Sequence, residues 1–300
     1  MTGARRVTQA VVAAGVLLAG GLAALKWHDS ATFFDLPVLL SRFPVEEAAV
    51  FQADVAKLRR AGLLAASTQP LEPEYKQFVD DSGFDYRRDL DLAAASFSAS
   101  GTYIIARGRF DWKKLEAYAK KQGGNCYQRL CRMPGSRPER RISFLPLRDD
   151  TLALAVSTDD LAASKLENTG PRVTASLPVE PVWLSVPGTF LRKREVLPMS
   201  LRVTLSGIIT ADRVVFTGNQ AGQGIELRMS ATCRTVDEAR TLASQLSSST
   251  SQIREAIAKG AASEELVRVL ASGRFDQQNK TVSGTWPLSH TILQTLGAGI

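Results

Sequence analysis

The stretch from Val7 to Leu25, VTQAVVAAGVLLAGGLAAL, holds nineteen residues without a charge, and that restricts where it can fold. As a helix it spans roughly 28 Å at about 1.5 Å per residue, close to the hydrocarbon thickness of a bilayer. Arg5 and Arg6 precede it and Lys26 follows, so the amino end is expected in the cytoplasm and the bulk of the chain outside. Val7, Ala10, Gly15, Ala19, Ala23 and Leu25 are the residues assigned to this anchor. A cleaved signal would end in a small-x-small site after the apolar run. The best candidate, Gly21-Leu22-Ala23, lies inside the run, which favours an uncleaved signal-anchor. No cysteine follows the run, so a lipoprotein anchor is excluded. Gly15, Ala19 and Ala23 form a small-residue stripe of the kind that lets helices approach, although an Ala/Gly-rich anchor produces one easily by chance.

Beyond the anchor the chain is soluble in character. A hydrophobic fraction of 44% against 22% charged residues is that of a packed globular chain rather than a disordered one. The net charge of +7 admits nucleic acid, anionic headgroups or acidic wall polymers as partners. The cations, however, fall in short clusters such as Arg59-Arg60, Arg87-Arg88 and Arg192-Lys193-Arg194, without interleaved aromatics. That pattern reads as solvated surface and argues against nucleic acid.

Residues 31–170 read as a first α+β domain and residues 171–300 as a second, after a membrane-anchor segment over 1–30. In the first, strands are expected at Ala48–Val55, Leu92–Phe97, Thr102–Arg107, Ile142–Pro146 and Thr151–Val156. Helices are expected at Lys57–Ala66, Glu74–Asp81 and Trp112–Lys121, the last with Asp111 as N-cap and Gly123-Gly124 as its stop. Ser157 and Asp160 have capping-box spacing for a closing helix over Asp159–Leu166. In the second, Val182–Val186, Leu201–Ile209, Arg213–Gly218 and Ile225–Cys233 read as strands. Ile225–Cys233 alternates without exception: Ile225, Leu227, Met229, Ala231 and Cys233 on one face, Glu226, Arg228, Ser230 and Thr232 on the other. One buried face and one wet face imply an antiparallel sheet. Thr235 and Glu238 form a capping box that opens a long helix, whose Val236, Ala239, Leu242, Leu246, Ile253 and Ile257 should cover the buried face. A helix over Ser263–Leu270, a strand over Lys280–Trp286 and a short helix from Ser289 complete the expectation. The fold class is thus α+β, with an N-terminal transmembrane helix and two antiparallel-sheet domains, each with helices on one face. Ala106-Arg107-Gly108-Arg109-Phe110-Asp111 and Ala271-Ser272-Gly273-Arg274-Phe275-Asp276 nearly repeat, a hint of duplication.

Three short motifs carry a resemblance. Asp54-Val55-Ala56-Lys57-Leu58 is a helix start, Gly83 to Asp91 is a Gly-Phe-Asp-x-x-x-Asp-x-Asp turn, and Gly108 to Asp111 is a strand–helix junction. In these the chain is similar to a loose group of uncharacterised membrane-anchored secreted bacterial proteins. The resemblance covers residues 45 to 165 and, more faintly, the second unit, and implies location and fold, with no activity, cofactor or catalytic residue attached to it.

The chemistry-bearing residues are few. With His28 and His290 alone, any His-dependent site would be built on His290. Ser289-His290 are adjacent and so point apart on a helix, and no G-x-S-x-G elbow is present. Asp85, Asp89 and Asp91 invite a calcium loop, but Arg87 and Arg88 sit among them and the terminal Glu of an EF-hand is missing. Turn formation and arginine pairing explain them better. No catalytic, cofactor-binding or metal-ligating set is expected. Cys126 and Cys131 remain open: an oxidising compartment favours a disulfide, whereas an uninterrupted strand would hold them roughly 17 Å apart. Cys233 belongs on a buried face. The functional expectation is a non-catalytic binding or scaffolding component of the cell envelope, periplasmic apart from its anchor. Its partner would be an envelope protein, a lipid headgroup or a wall polymer. The alternatives are a secreted hydrolase using carboxylates or a lone serine, and a carrier holding an apolar ligand between sheet and helices.

Overall fold

Twelve antiparallel strands form one continuous sheet in the computed structural model of the chain. The structure describes residues 36–44, 47–64, 73–170, 177–192, 208–221, 224–259 and 265–288. The anchor stretch and the helix expected from Ser289 lie outside them. Among the described residues no helix is long and apolar enough to cross a membrane.

Chain order runs α1 (Leu36–Leu40), β1 (Ala49–Ala53), α2 (Val55–Arg60), α3 (Pro73–Ser82), α4 (Tyr86–Asp89), β2 (Leu90–Phe97) and β3 (Gly101–Gly108). Then follow α5 (Trp112–Lys121), β4 (Asn125–Tyr127), β5 (Leu130–Pro134), β6 (Arg141–Arg148), β7 (Thr151–Ser157) and a 3-10 helix over Ala162–Glu167. The second half holds β8 (Val182–Pro187), α6 (Gly188–Arg192), a 3-10 turn at Ile208–Thr210, β9 (Arg213–Ala221) and β10 (Gly224–Thr232). It ends with α7 (Val236–Ala258), α8 (Glu265–Ala271), β11 (Arg274–Gln278) and β12 (Thr281–Leu288).

The strand order is β11-β12-β10-β9-β8-β1-β2-β3-β7-β6-β5-β4. The two expected sheets are therefore one, joined where β1 pairs with β8 through Val50↔Ser185 and Gln52↔Trp183. Reading outward from that seam, β1-β2-β3-β7-β6 on one side matches β8-β9-β10-β12-β11 on the other. In each half a helix, α5 or α7, follows the third strand. The halves thus repeat one topology about a pseudo-twofold axis at the seam. The two Gly-Arg-Phe-Asp motifs do not mark that repeat: the first ends β3 and the second starts β11, which are not equivalent strands.

Cross-strand register sorts the side chains into two layers. One face of the sheet, face A, carries α5 and α7. Beneath α7 lie Val214, Met229, Ala231, Val282 and Trp286, with Ala239 and Leu242 of the helix packed onto them. The alternation of Ile225–Cys233 is borne out, and so is the capping box, since Thr235 accepts from the Glu238 amide and Glu238 returns the bond. Val236 departs from expectation and is exposed, because the apolar stripe begins one turn later. Beneath α5, Leu115 and Ala119 meet Cys131 and Phe144. Among the described residues, the opposite face, face B, holds a second core centred on the first half. There Tyr103, Ile105, Ala153, Ala155 and Leu145 are covered by Leu39 and Leu40 of α1 and by Ala162, Ala163 and Leu166 of the 3-10 helix.

That closing helix differs from expectation. It starts at Ala162 without a side-chain cap. Ser157 Oγ accepts from the Asp159 amide and donates to the Ser100 carbonyl, and Asp159 accepts from the Leu161 amide. These local bonds satisfy the backbone before a regular α-helix can form, which shortens it to a 3-10 segment. Two further elements differ. Gly83–Asp91 is not wholly a turn but contains α4, and Ile208-Ile209 lie in a 3-10 turn rather than a strand.

Candidate binding surface

The aspartate-rich turn is a structural clasp. Asp85 caps α4 by accepting from the Arg87 amide, and it also accepts from the Tyr75 hydroxyl at 3.0 Å. Asp89 is buried, with ion pairs to Arg88 at 2.7 Å and Arg109 at 3.1 Å. The hydrogen bond from Arg88 is the largest influence holding its carboxyl below the usual range, and the Asp85 amide and the Arg109 charge add to it. Asp91 pairs with Arg59. The three carboxylates are thus spent on caps and arginines, and among the described residues no group of His, Cys, Asp or Glu is arranged to hold a metal ion. The motifs behind the resemblance meet here. Phe84 stacks on Phe110 with centroids 5.1 Å apart, and the Arg109 amide donates to the Asp89 carbonyl. Gly108 permits that approach, since a Cβ there would run into the same carbonyl.

The adjacent carboxylates Asp80-Asp81 and Asp159-Asp160 are ion-paired as well. Asp80 pairs with Lys76, Asp81 with Lys121, Asp159 with Lys165 and Asp160 with Arg132. Ser289 and His290 lie outside the described residues.

Cys126 and Cys131 are disulfide-bonded, with Cα atoms 4.0 Å apart. The chain between them is not one strand. Gln128 takes a left-handed conformation, φ 50°, and with Arg129 closes a two-residue hairpin that sets Cys126 opposite Cys131. Glutamine is not a usual left-handed residue, so the turn carries no sequence signal. Cys233 is a buried free thiol whose titration burial pushes up.

A surface that sequence reasoning did not single out lies on face B of the second half. Here an open groove of about 430 Å³ runs over β9, β10 and β12. Its floor is a lattice of side chains in direct cross-strand register. Thr217, Arg228 and Thr285 form one row, and Val215, Ser230 and Ser283 the next. Leu177, Pro178 and Glu180, just ahead of β8, form a wall. Arg228 is exposed and donates to Glu226 at 2.5 Å. The signal was present in part, in the wet side of Ile225–Cys233. The matching Ser283 and Thr285 of β12 acquire meaning only once β12 is known to lie beside β10. Chemically the groove offers hydroxyls, one guanidinium and an apolar rim, a mixture suited to holding a chain with both polar and apolar groups.

At the seam, Gln52 Oε1 and Trp183 Nε1 are buried without hydrogen-bond partners among the described residues. Both side chains are on face B, and Trp183 belongs to the core of the first half, onto which Leu177 also packs.

No protein-family model matches the chain, and no curated protein matches it in sequence. Solved structures do. The chain is similar to crystal form III of TP0453 with a TM-score of 0.50 and 8% identity, over 87% of this chain and 98% of that one. Crystal form I of TP0453 aligns at a TM-score of 0.48 and 9% identity, over 87% of this chain and 97% of that one. At such low identity the first match speaks to the fold alone: a mixed α and β chain built on one large antiparallel sheet.

Proposed function

We propose that the chain is a non-catalytic binding component of the cell envelope, held by its N-terminal helix, that meets its partner through face B of the second half. One observation carries this reading. Positions that form a closed apolar core in the first half are, at the matching strands of the second, a groove lined by Thr217, Arg228, Ser230, Ser283 and Thr285. A sheet face that keeps hydroxyls and a guanidinium accessible is suited to recognition. The Cys126–Cys131 bond supports an extracytoplasmic address, because such bonds persist in oxidising compartments. As for an apolar cargo held between sheet and helices, the space under α7 is filled by Met229, Val282, Trp286 and their neighbours.

The test is a membrane-impermeant crosslinker applied to intact cells, with affinity recovery of the full chain, of a form lacking residues 10–25, and of the Arg228→Glu variant. A specific partner recovered with the full chain and lost with Arg228→Glu is the expected result. Labelling without any recovered partner would overturn the binding reading, and absence of labelling would overturn the outward topology.

A further inference from the structure

In sequence the cations fall in short clusters, but the fold gathers one set of them. Residues 112–148, from α5 through β6, hold ten lysines and arginines against Glu116 and Glu139, a net charge of +8. The whole chain carries +7, so all its other residues together sum to −1. These elements lie at one end of the sheet. β4 is its free edge, β5 and β6 follow, and α5 packs over β4 and β5 on face A. Lys113 and Lys120 are exposed on that helix, and Arg137 is exposed in the loop between β5 and β6. On face B, Arg132 is in register with Asn125 and Ser143, and Arg141 with Pro134. Arg129 closes the β4–β5 hairpin and donates to the Pro146 carbonyl at 2.7 Å. The opposite edge, residues 274–288, holds only Arg274 and Lys280 against Asp276.

Ion pairs account for part of this charge: Lys114 with Asp111, Lys121 with Asp81 and Arg132 with Asp160. Lys113, Lys120, Arg129, Arg137 and Arg141 are exposed, and among the described residues none of them has an ion-pair partner. One or two charges suffice to keep an edge strand from pairing with another chain. Here the charge extends over α5 and the β5–β6 loop, beyond the edge itself, and Tyr127 of β4 remains 71% exposed beside it. The disulfide between Cys126 and Cys131 clamps the hairpin that carries Tyr127 and Arg129, with Cys131 packed against Leu115 and Ala119 of α5. The charge surrounds a projecting edge on both faces and lines no cleft, which suits a broad anionic plane. We propose that this edge docks on a bilayer surface bearing anionic phospholipid headgroups, the cations meeting phosphates and Tyr127 lying at headgroup level. Position along the chain agrees. α1 belongs to the core of the first half, and the ten residues between Leu25 and Leu36 reach at most roughly 35 Å. A chain anchored by Val7–Leu25 therefore keeps this half beside the bilayer. With strands about 4.8 Å apart, eleven spacings carry β11 roughly 50 Å from β4, which holds the groove of the second half out from the membrane. That orientation rests on the anchored topology proposed above, whereas the docking of the edge does not.

The experiment adds the full chain to vesicles of phosphatidylcholine, or of phosphatidylcholine mixed with phosphatidylglycerol, with an acceptor dye on the headgroups. A donor dye is placed on Ser136→Cys in the β5–β6 loop or on Gln278→Cys at the far edge. Cys233 is buried and Cys126 and Cys131 are bonded to each other, which leaves the introduced thiol for labelling. On the mixed vesicles, energy transfer from position 136 should be several times stronger than from position 278. The difference should collapse on phosphatidylcholine alone and at high salt, because the attraction is screened within a Debye length. Lys120→Glu, Arg137→Glu and Arg141→Glu together lower the charge of residues 112–148 by six, to +2, and should abolish the difference with the circular dichroism unchanged. Equal transfer from the two positions on mixed vesicles overturns the proposal, as does a difference that neutral lipid, salt and charge reversal leave intact. Retention on polyphosphate without the lipid-dependent difference would assign the edge to a soluble polyanion and also overturn it. Flotation separates this docking from the anchor. Recovery with mixed vesicles and not with phosphatidylcholine keeps the docking and overturns the anchored topology, and recovery with neither overturns both.

Discussion

The two halves of the sheet share a strand order and differ in what they do with the face opposite their long helices. In the first, face B is alanine-rich and aromatic: Ala94, Tyr103, Ile105, Ala153 and Ala155 are buried beneath α1 and the 3-10 helix. In the second, the matching strands present Val215, Thr217, Arg228, Ser230, Ser283 and Thr285. Small side chains at Ala94, Ala153 and Ala155 let a covering element approach the sheet closely. Hydroxyls and a guanidinium keep the other face in contact with water. Among the described residues, one topology therefore yields a three-layer half and a half covered on its α7 side. The backbone pattern sets which strands are neighbours, and the side chains set how many layers are built on them.

The largest effect should come from opening the closed half. Leu166 has 0% exposure and wedges the 3-10 helix against Ala162, Ala163 and the sheet. Leu166→Ala should cost about 3 kcal/mol, as buried leucine truncations do when the cavity cannot collapse. Urea unfolding of the variant checks this. A loss below about 1 kcal/mol would mean that the 3-10 helix adds little to that core and that the two halves differ less than the packing indicates.

A smaller effect should follow from the Asp89 clasp, which ties α4, β2 and the end of β3 together in the first half; the pair at the matching place in the second, Asp212 with Arg234, is longer at 3.9 Å and exposed. Asp89→Asn should cost about 2 kcal/mol, because charge-assisted bonds from Arg88 and Arg109 are replaced by weaker ones. The sign of the pH dependence follows from the depressed carboxyl. In the folded chain it titrates below its unfolded value of about 3.9, so its contribution is complete above that pH. The contribution is lost as pH falls through the folded value. Thermal unfolding from pH 5 to 2 should therefore fall more steeply for the native chain than for Asp89→Asn. Parallel curves would show that the clasp holds through its backbone bonds alone.

How much of this was legible in the sequence depended on whether the cause was local. Alternation and caps are local, so Ile225–Cys233, the Trp112–Lys121 helix with Asp111 at its N-cap, and the Thr235–Glu238 box were read correctly. The single sheet was not, because β1 and β8 are separated by more than a hundred residues and neither strand encodes its neighbour. Gln128 hid the hairpin that permits the disulfide, since its left-handed backbone is imposed by the pairing on either side. The groove was half legible. Arg228 and Ser230 were assigned to a wet face, but Ser283 and Thr285 joined them only through the β10–β12 register. Beta-strand α-carbons carry their alternation in sequence and their partners only in space.

The smallest expected effect is the sharpest probe of the comparison. Ser283 and Thr285 match Ala153 and Ala155 of the first half, so Ser283→Ala and Thr285→Ala replace the second half's residues with those of the first. On an open, hydrated face neither hydroxyl has a buried partner to leave unsatisfied, and each substitution should change stability by no more than about 0.5 kcal/mol. The matching change in the first half should behave differently. Ser143 Oγ is buried and accepts from the Ala163 amide, so Ser143→Ala should cost about 1 kcal/mol. Chemical denaturation of the three variants makes the comparison. A cost near 1 kcal/mol for Ser283→Ala or Thr285→Ala would mean that these hydroxyls are bonded as Ser143 is, and that the two halves differ less on face B than their exposure indicates.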